Sequence, residues 1–289
     1  MGLLITNIQR MCMQDGPGIR TTVFLKGCTL SCPWCSNPEN ISNVKQYWFN
    51  EEKCADHRGK SDQCELCPGI KIAGHSISGN AANECPFGAM GIFGREYEAT
   101  ELVNALMKDM LYWKHGGGVT FSGGEPLVQA GELLPALKLL KEYSVHIALE
   151  TALHIPTEAI ETVLELVDLF IVDLKIVKQE NYGSLQGYHS SLFGNNVNYL
   201  DNRQKELLFR VSCSDEIAQR NESAKQLKGF LRKHSRYPVE LYMLHNMGSD
   251  KYRTLGLPAP IEYRGNIELM NELMEWIKTE GGDAAVIAF

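Results

Sequence analysis

The sequence predicts an α/β fold built on a mostly parallel sheet. Three observations carry that expectation. Six short apolar or β-branched runs alternate with segments of helical period along the chain. Each run is followed by a polar or glycine-rich turn, as a strand is when it feeds a surface loop. The chain is 44% apolar and 22% charged over 289 residues, the make-up of an ordinary globular protein with one large domain.

The strand runs are 21–26, 119–121, 145–149, 169–172, 207–211 and 239–244. Between them lie helical stripes. Thr100 is a plausible N-cap for a helix whose apolar face runs Leu102, Val103, Leu106, Met107, Met110 and Leu111. Leu133, Leu134, Leu137 and Leu140 mark a second, and Ile160, Val163, Leu164 and Val167 a third. Two more are expected near 224–234 and 267–278. Parallel strands with helical crossovers suit either a partial barrel or an open doubly wound sheet, and pattern alone leaves both open. In either, chemistry belongs at the C-terminal strand ends. Cys28, Ser122, Glu150, Asp173 and His245 fall there.

Residues 46–95 break this rhythm. Cysteine, glycine and polar residues dominate, with too few large apolar side chains for a core of their own. The segment reads as an inserted, ligand-organised module. The main domain is then 1–45 together with 96–289.

Composition excludes several classes. Net charge is −7, with no basic run, so a nucleic-acid partner is not expected. No stretch approaches the roughly 18 apolar residues of a membrane helix. The first residues lack a signal-peptide pattern, and the expected location is cytoplasmic. Nine cysteines in a reducing compartment point to metal or catalysis rather than disulfides.

Cys28, Cys32 and Cys35 form C-x3-C-x2-C directly after the first strand run. Thiolates are soft ligands for zinc or iron–sulfur. Three of them can hold three irons of a four-iron cluster and leave one iron open for substrate, by the logic that separates catalytic from structural metal sites. A structural zinc knuckle with a distant fourth ligand is the alternative. Further on, 116–126 reads GGGVTFSGGEP. Its glycines let backbone approach a ligand closely, and a carbonyl or Glu125 could accept from an ammonium group. A tight strand-to-helix turn is the plain alternative. Before the first strand, 15–20 reads DGPGIR, a turn that presents an arginine fork.

The loop from Cys28 to Cys35, with Trp34 just before the third cysteine, resembles the signature of the radical SAM superfamily. The resemblance implies that Cys28, Cys32 and Cys35 bind a [4Fe-4S] cluster whose open iron takes S-adenosylmethionine (SAM). It implies that Trp34 lies against the loop and adenine, and that Ser122, Gly123, Gly124 and Glu125 hold the methionine amino group. Together with 15–20, the chain resembles the activating enzymes of glycyl radical enzymes. Such enzymes cleave SAM to a 5′-deoxyadenosyl radical and abstract hydrogen from a glycine of a partner. By the same resemblance Glu150, Asp173 and Lys175 lie near the SAM carboxylate and a possible monovalent cation. Arg210 matches a strand-end arginine. His245, with Gly248, Lys251 and Tyr252, matches a SAM-contacting segment. The implied fold is a partial (β/α)6 TIM-type barrel with a small inserted iron–sulfur module. The resemblance spans about 15–256 and departs at 211–215, where Val-Ser-Cys-Ser-Asp replaces a proline–glycine turn.

Cys54, Cys64, Cys67 and Cys85 in the insert echo ferredoxin fragments. Four thiolates support one auxiliary [4Fe-4S] cluster, and a four-thiolate zinc site would fit as well. Cys12 and Cys213 read as structural. The expected partners are a glycyl radical enzyme as protein substrate and a flavodoxin- or ferredoxin-type reductant. Rival readings are a peptide- or protein-maturing radical SAM enzyme, or a non-catalytic iron–sulfur electron carrier or zinc-binding module.

Overall fold

The computed structural model describes residues 2–54, 85–175, 190–215, 221–245, 247–258, 260 and 264–287. Its strands are β1 (Leu3–Cys12), β2 (Arg20–Leu25), β3 (Gln46–Phe49), β4 (Met90–Phe93), β5 (Arg95–Tyr97), β6 (Gly118–Gly123), β7 (Ile147–Thr151), β8 (Leu169–Leu174), β9 (Glu206–Cys213), β10 (Val239–Met243) and β11 (Ala284–Val286). Nine of them form one sheet in the order β11-β10-β9-β8-β7-β6-β2-β1-β5.

The six expected strand runs are β2, β6, β7, β8, β9 and β10. They pair in parallel, each beside the next in chain order. That order excludes a doubly wound sheet, which needs a switch point where the order reverses. Right-handed crossovers that always step the same way place their helices on one face. The helices α1 (Ala99–Leu106), α2 (Ala130–Glu142) and α3 (Thr157–Val163) accordingly pack on one another in sequence.

Alternation along each strand separates two faces. Val23, Phe121, Leu149, Phe170, Phe209 and Leu241 turn outward into the main core with the helices. On the inner face, Ala148, Ile171 and Leu208 make a small apolar cluster of their own. Polar side chains occupy the inner positions one pleat nearer the strand ends. Burying six apolar side chains on the outer face stabilises the fold by about 1.5–3 kcal/mol each.

The structure departs from the expected elements in several places. The helix at 99 begins on Glu98, whose side chain makes no capping bond, rather than on Thr100. Its apolar stripe does not run on to Leu111. The chain tightens into a 3-10 turn over Met107–Trp113, leaving Met110 46% and Leu111 65% exposed while Trp113 is buried and donates to Thr21. Strands β1, β5 and β11 were not expected from pattern. β1 runs antiparallel to β2 and extends the sheet past the first parallel strand. A helix α4 (Ser190–Asn202) was also unexpected.

Within residues 46–95, β3 and β4 form a separate two-stranded ladder, Gln46↔Phe93 to Phe49↔Met90, while Arg95 already belongs to β5 of the large sheet. Cys54 and Cys85 lie just beyond that ladder. Cys64 and Cys67 lie outside the described residues, so the fourfold cysteine set is not described as a group. Among the described residues no helix is long and apolar enough to cross a membrane.

Candidate active site

Each of the six parallel strands contributes one inward residue to a single cavity. They are Phe24, Ser122, Glu150, Asp173, Arg210 and Tyr242. The cavity has a volume of about 460 Å³ and opens at the C-terminal strand ends. The strand register sets neighbours side by side, with Phe24 opposite Ser122 and Asp173 opposite Arg210. All three cysteines of the first loop line the same cavity, as do Trp34, Gly123, Gly124, Lys175 and His245.

The polar floor is an ion-pair network. Arg210 is 2% exposed and stands between two carboxylates. It donates to Glu150 Oε1 over 2.6 Å, to Glu240 Oε2 over 2.7 Å and to the Gln14 carbonyl over 2.5 Å. Ser122 donates its hydroxyl hydrogen to Glu150 Oε2 over 2.5 Å. Burial would raise the Glu150 carboxyl, but Arg210, the Ser122 hydroxyl and Lys175 outweigh it and hold Glu150 below the usual carboxylate range. Lys175 pairs with Asp173. Burial works against its charge, yet Asp173 and the polar groups around it hold Lys175 well above the usual lysine value. Asp173 Oδ1 is buried and has no hydrogen-bond partner among the described residues. Such an oxygen is open to a donor or cation brought by a ligand, an ion or water.

The three thiols are pushed up by burial, Cys28 and Cys32 to about 12, while Lys175 pulls both back. Burial likewise raises Cys35. They are neutral at pH 7, so metal must displace their protons. Among the described residues no three thiol, imidazole or carboxyl groups converge tightly enough for a single metal ion. The three thiols fit the soft donor set of a polynuclear iron–sulfur cluster.

Glycines fix how the second motif meets the first. A Cβ on Gly124 would stand 2.2 Å from the Gly27 carbonyl oxygen and 2.6 Å from that of Asn40. The backbone of 123–125 thus packs against the stem of the cysteine loop. Gly124 N–H donates to Leu25 O and Glu125 N–H to Gly27 O. Glu125 itself does not line the cavity. It is 1% exposed, and its carboxylate accepts from Thr151 Oγ1 at 2.9 and 2.8 Å and from Ala152 N–H at 3.0 Å. It ties the end of β6 to the end of β7, and burial pushes its carboxyl up to about 7.

The turn at 15–20 is tied to β2 and β6. Thr22 Oγ1 donates to Asp15 Oδ2 over 2.5 Å, and Thr120 Oγ1 donates to the Asp15 carbonyl over 2.6 Å. Gly18 takes φ +69° and closes directly on Gly116 and Gly117. Asp15 and Gln14 reach the cavity. Arg20 does not. It is buried and donates to Thr120 Oγ1, Val119 O and Pro17 O, which makes it a strut between β2, β6 and the turn.

Sequence reasoning did not single out Glu240, Tyr242, Gln14 or Asp15 as parts of this site. A polar residue alternating inward on a strand of a buried parallel sheet is the signal that finds the first two. The departure at 211–215 is also resolved in part. β9 continues through Cys213, which is buried in the core.

These features define a class: an α/β protein whose parallel strand ends present three cysteines and a charged floor to a small ligand. A family described as a 4Fe-4S single cluster domain matches residues 14–193. The chain is 32% identical over 277 residues to the trans-4-hydroxy-L-proline dehydratase activating enzyme of Clostridioides difficile, covering 87% of each protein. It is 30% identical over 298 residues to the choline trimethylamine-lyase activating enzyme of Oleidesulfovibrio alaskensis, covering 95% of this chain and 93% of that one. QueE from Escherichia coli matches over 100% of this chain and 95% of its own, with a TM-score of 0.51 and 11% identity, a likeness of fold alone. The chain belongs to the radical SAM activating enzymes of glycyl radical enzymes. Its activity is to use SAM at a [4Fe-4S] cluster to place a radical on a glycine of a partner enzyme.

Proposed function

We propose that Cys28, Cys32 and Cys35 hold the [4Fe-4S] cluster and that SAM fills the cavity above Arg210, within a partial (β/α)6 barrel. One observation carries this reading: the three thiols and six strand-end residues share one 460 Å³ cavity. When bound, the reduced cluster supplies the electron that breaks a C–S bond of SAM and so generates the hydrogen-abstracting radical.

The chain's own residues bind, orient and shield. Glu150, kept ionised by Arg210 and Ser122, and the unpaired Asp173 Oδ1 offer acceptors to an ammonium group or a monovalent cation. Lys175 offers a donor to a carboxylate. Trp34 supplies an apolar wall, and His245 lines the same cavity. The cavity walls would confine the radical and keep it from hydrogen donors other than its target.

We further read residues 46–95 as an inserted module in which Cys54, Cys64, Cys67 and Cys85 hold a second [4Fe-4S] cluster. A flavodoxin- or ferredoxin-type protein would supply electrons, in the cytoplasm, where thiols stay reduced. The partner must present its glycine loop to the open cavity mouth, so that loop has to leave its resting place.

The test is 5′-deoxyadenosine formed from SAM by anaerobically reconstituted, dithionite-reduced protein, beside Cys32→Ala. Product that disappears in the variant is the expected result. No product from protein with an intact reduced cluster would overturn the reading.

A further inference from the structure

The loop from Cys28 to Asn40 has little regular structure to hold it. Its internal backbone bonds are few, such as Cys35 N–H to Cys32 O at 3.0 Å and Asn40 N–H to Asn37 O at 2.9 Å. Its stem is fixed by Gly27 N–H to Asn40 O at 2.8 Å and Cys28 N–H to Ile41 O at 3.0 Å. Buried Lys26 adds a bond to the Glu39 carbonyl and one to Gln46 Oε1. All of these holds lie at the base.

The far side, around Cys35, is held from a distant part of the chain. The short helix α6 (Ser249–Thr254, with α5 being Asn221–Lys233) lies against it. Lys251 Nζ donates to Asn37 Oδ1 over 2.7 Å and to Glu39 Oε1 over 2.6 Å. The Glu39 side chain is 8% exposed, and Lys251 is its ion-pair partner. Just before the helix, a Cβ on Gly248 would stand 2.8 Å from Ser36 O and 3.0 Å from Cys35 O, so the two backbones touch. Two contacts of different kinds, one steric at Cys35 and Ser36 and one ionic at Asn37 and Glu39, thus hold adjacent parts of the segment that starts at the third thiol.

We propose that Lys251 is a positioning residue, a clamp that holds the Cys35–Glu39 segment in the shape its cluster needs and sets the charge beside that cluster. The proposal rests on the cluster assignment to Cys28, Cys32 and Cys35. Removing the lysine leaves a buried carboxylate unpaired a few residues from a cluster ligand. Two consequences follow. The loop loosens, and the cluster loses a nearby cation that favours its more negative, reduced form. Arg253 on the same helix pairs with Glu52, but both side chains are more than half exposed, so that pair contributes little and serves as a control.

The test uses the full-length chain in two arms. In the metal-free protein, hydrogen exchange over residues 28–40 is compared for wild type, Lys251→Gln, Lys251→Arg and Arg253→Ala. In the reconstituted protein, iron loss to a chelator and the cluster's midpoint potential are compared for the same set. Lys251→Gln is expected to exchange and lose iron about tenfold faster, the ratio for losing the charge-assisted bond to Glu39 alone, and to shift the potential downward. Lys251→Arg should restore most of both, and Arg253→Ala should match wild type. If Lys251→Gln does not fold, Glu39→Gln removes the same pair and is expected to show the same faster exchange and iron loss. Wild-type exchange, iron loss and potential in a folded Lys251→Gln protein would overturn the clamp. Failure of wild type to take up iron would instead overturn the cluster assignment, and the exchange arm would still decide whether the clamp exists.

Discussion

Arg210 and Glu150 meet across the cavity floor at 2.6 Å, joining β9 to β7 past the strand that lies between them. The bond reaches across β8, which lies between the two strands in the sheet. Arg210 also neutralises Glu240, so a single guanidinium serves two half-buried carboxylates. Its loss would leave both facing each other in a low-dielectric space. Arg210→Met is therefore expected to destabilise the protein by about 3–5 kcal/mol. Arg210→Lys should recover only part, since one ammonium cannot reproduce the fork. Thermal unfolding of the metal-free proteins checks this. A variant as stable as wild type would show that the pair is not the keystone of the floor.

Gly124 carries a second prediction. Its missing side chain is what lets β6 end against the cysteine-loop stem, with carbonyl oxygens 2.2 and 2.6 Å from where a Cβ would stand. Backbone on both sides must move to admit a methyl group. Gly124→Ala should lower iron uptake and cost at least a few kcal/mol of stability, the range seen for overpacking or worse. Gly131→Ala on α2 meets nothing and should match wild type or gain slightly. Iron per chain after reconstitution, measured on both variants, separates the two cases.

How much of this was legible in the sequence depended on range. The cysteine loop, the glycine-rich strand end and the six parallel strands are local patterns, and all were readable. The residues that link strands were not. Glu240 sits in an unremarkable Val-Glu-Leu-Tyr-Met run, and only the register opposite Arg210 gives it a role. Helix α4 was missed because its Asn and Gly content argues against helix. Asn196 instead satisfies tertiary partners, donating to Leu153 O and Ile155 O. β1 was missed because its exposed positions carry polar residues that blur the strand signal. Motif position points Glu125 to a ligand, because it cannot tell a carboxylate facing the cavity from one buried behind it.

Glu125 makes the pH dependence testable. Its carboxyl, pushed up by burial to about 7, has an ordinary value near 4.5 when the chain unfolds. Between those values the folded state binds more protons than the unfolded state. Stability from this group is then greatest at low pH and falls as pH rises from about 4.5 to 7, by on the order of 1 kcal/mol per pH unit. Glu125→Gln removes the titration, so the difference in stability between variant and wild type should change over that window and be flat above it. Thermal unfolding of metal-free protein at several pH values measures it. A difference that does not change with pH would show that the carboxyl titrates alike in both states.

The inserted module gives the last prediction. The ladder of β3 and β4 brings the two ends of residues 46–95 together, and Cys54 and Cys85 follow directly on that stem. With Cys64 and Cys67 they are four thiolates in one short segment, enough for a four-iron cluster or a zinc ion. Charge does not decide between them, but stoichiometry does. Two clusters require about eight irons per chain, falling to about four in Cys85→Ser with the SAM-binding cluster intact. Zinc in the insert instead gives about four irons and one zinc in wild type, with only the zinc lost in the variant. Metal analysis paired with 5′-deoxyadenosine formation in Cys85→Ser also separates the roles of an iron cluster. Activity with dithionite but not with a protein reductant would mark the insert as an electron relay. Equal activity with both would leave it a staple for the loop.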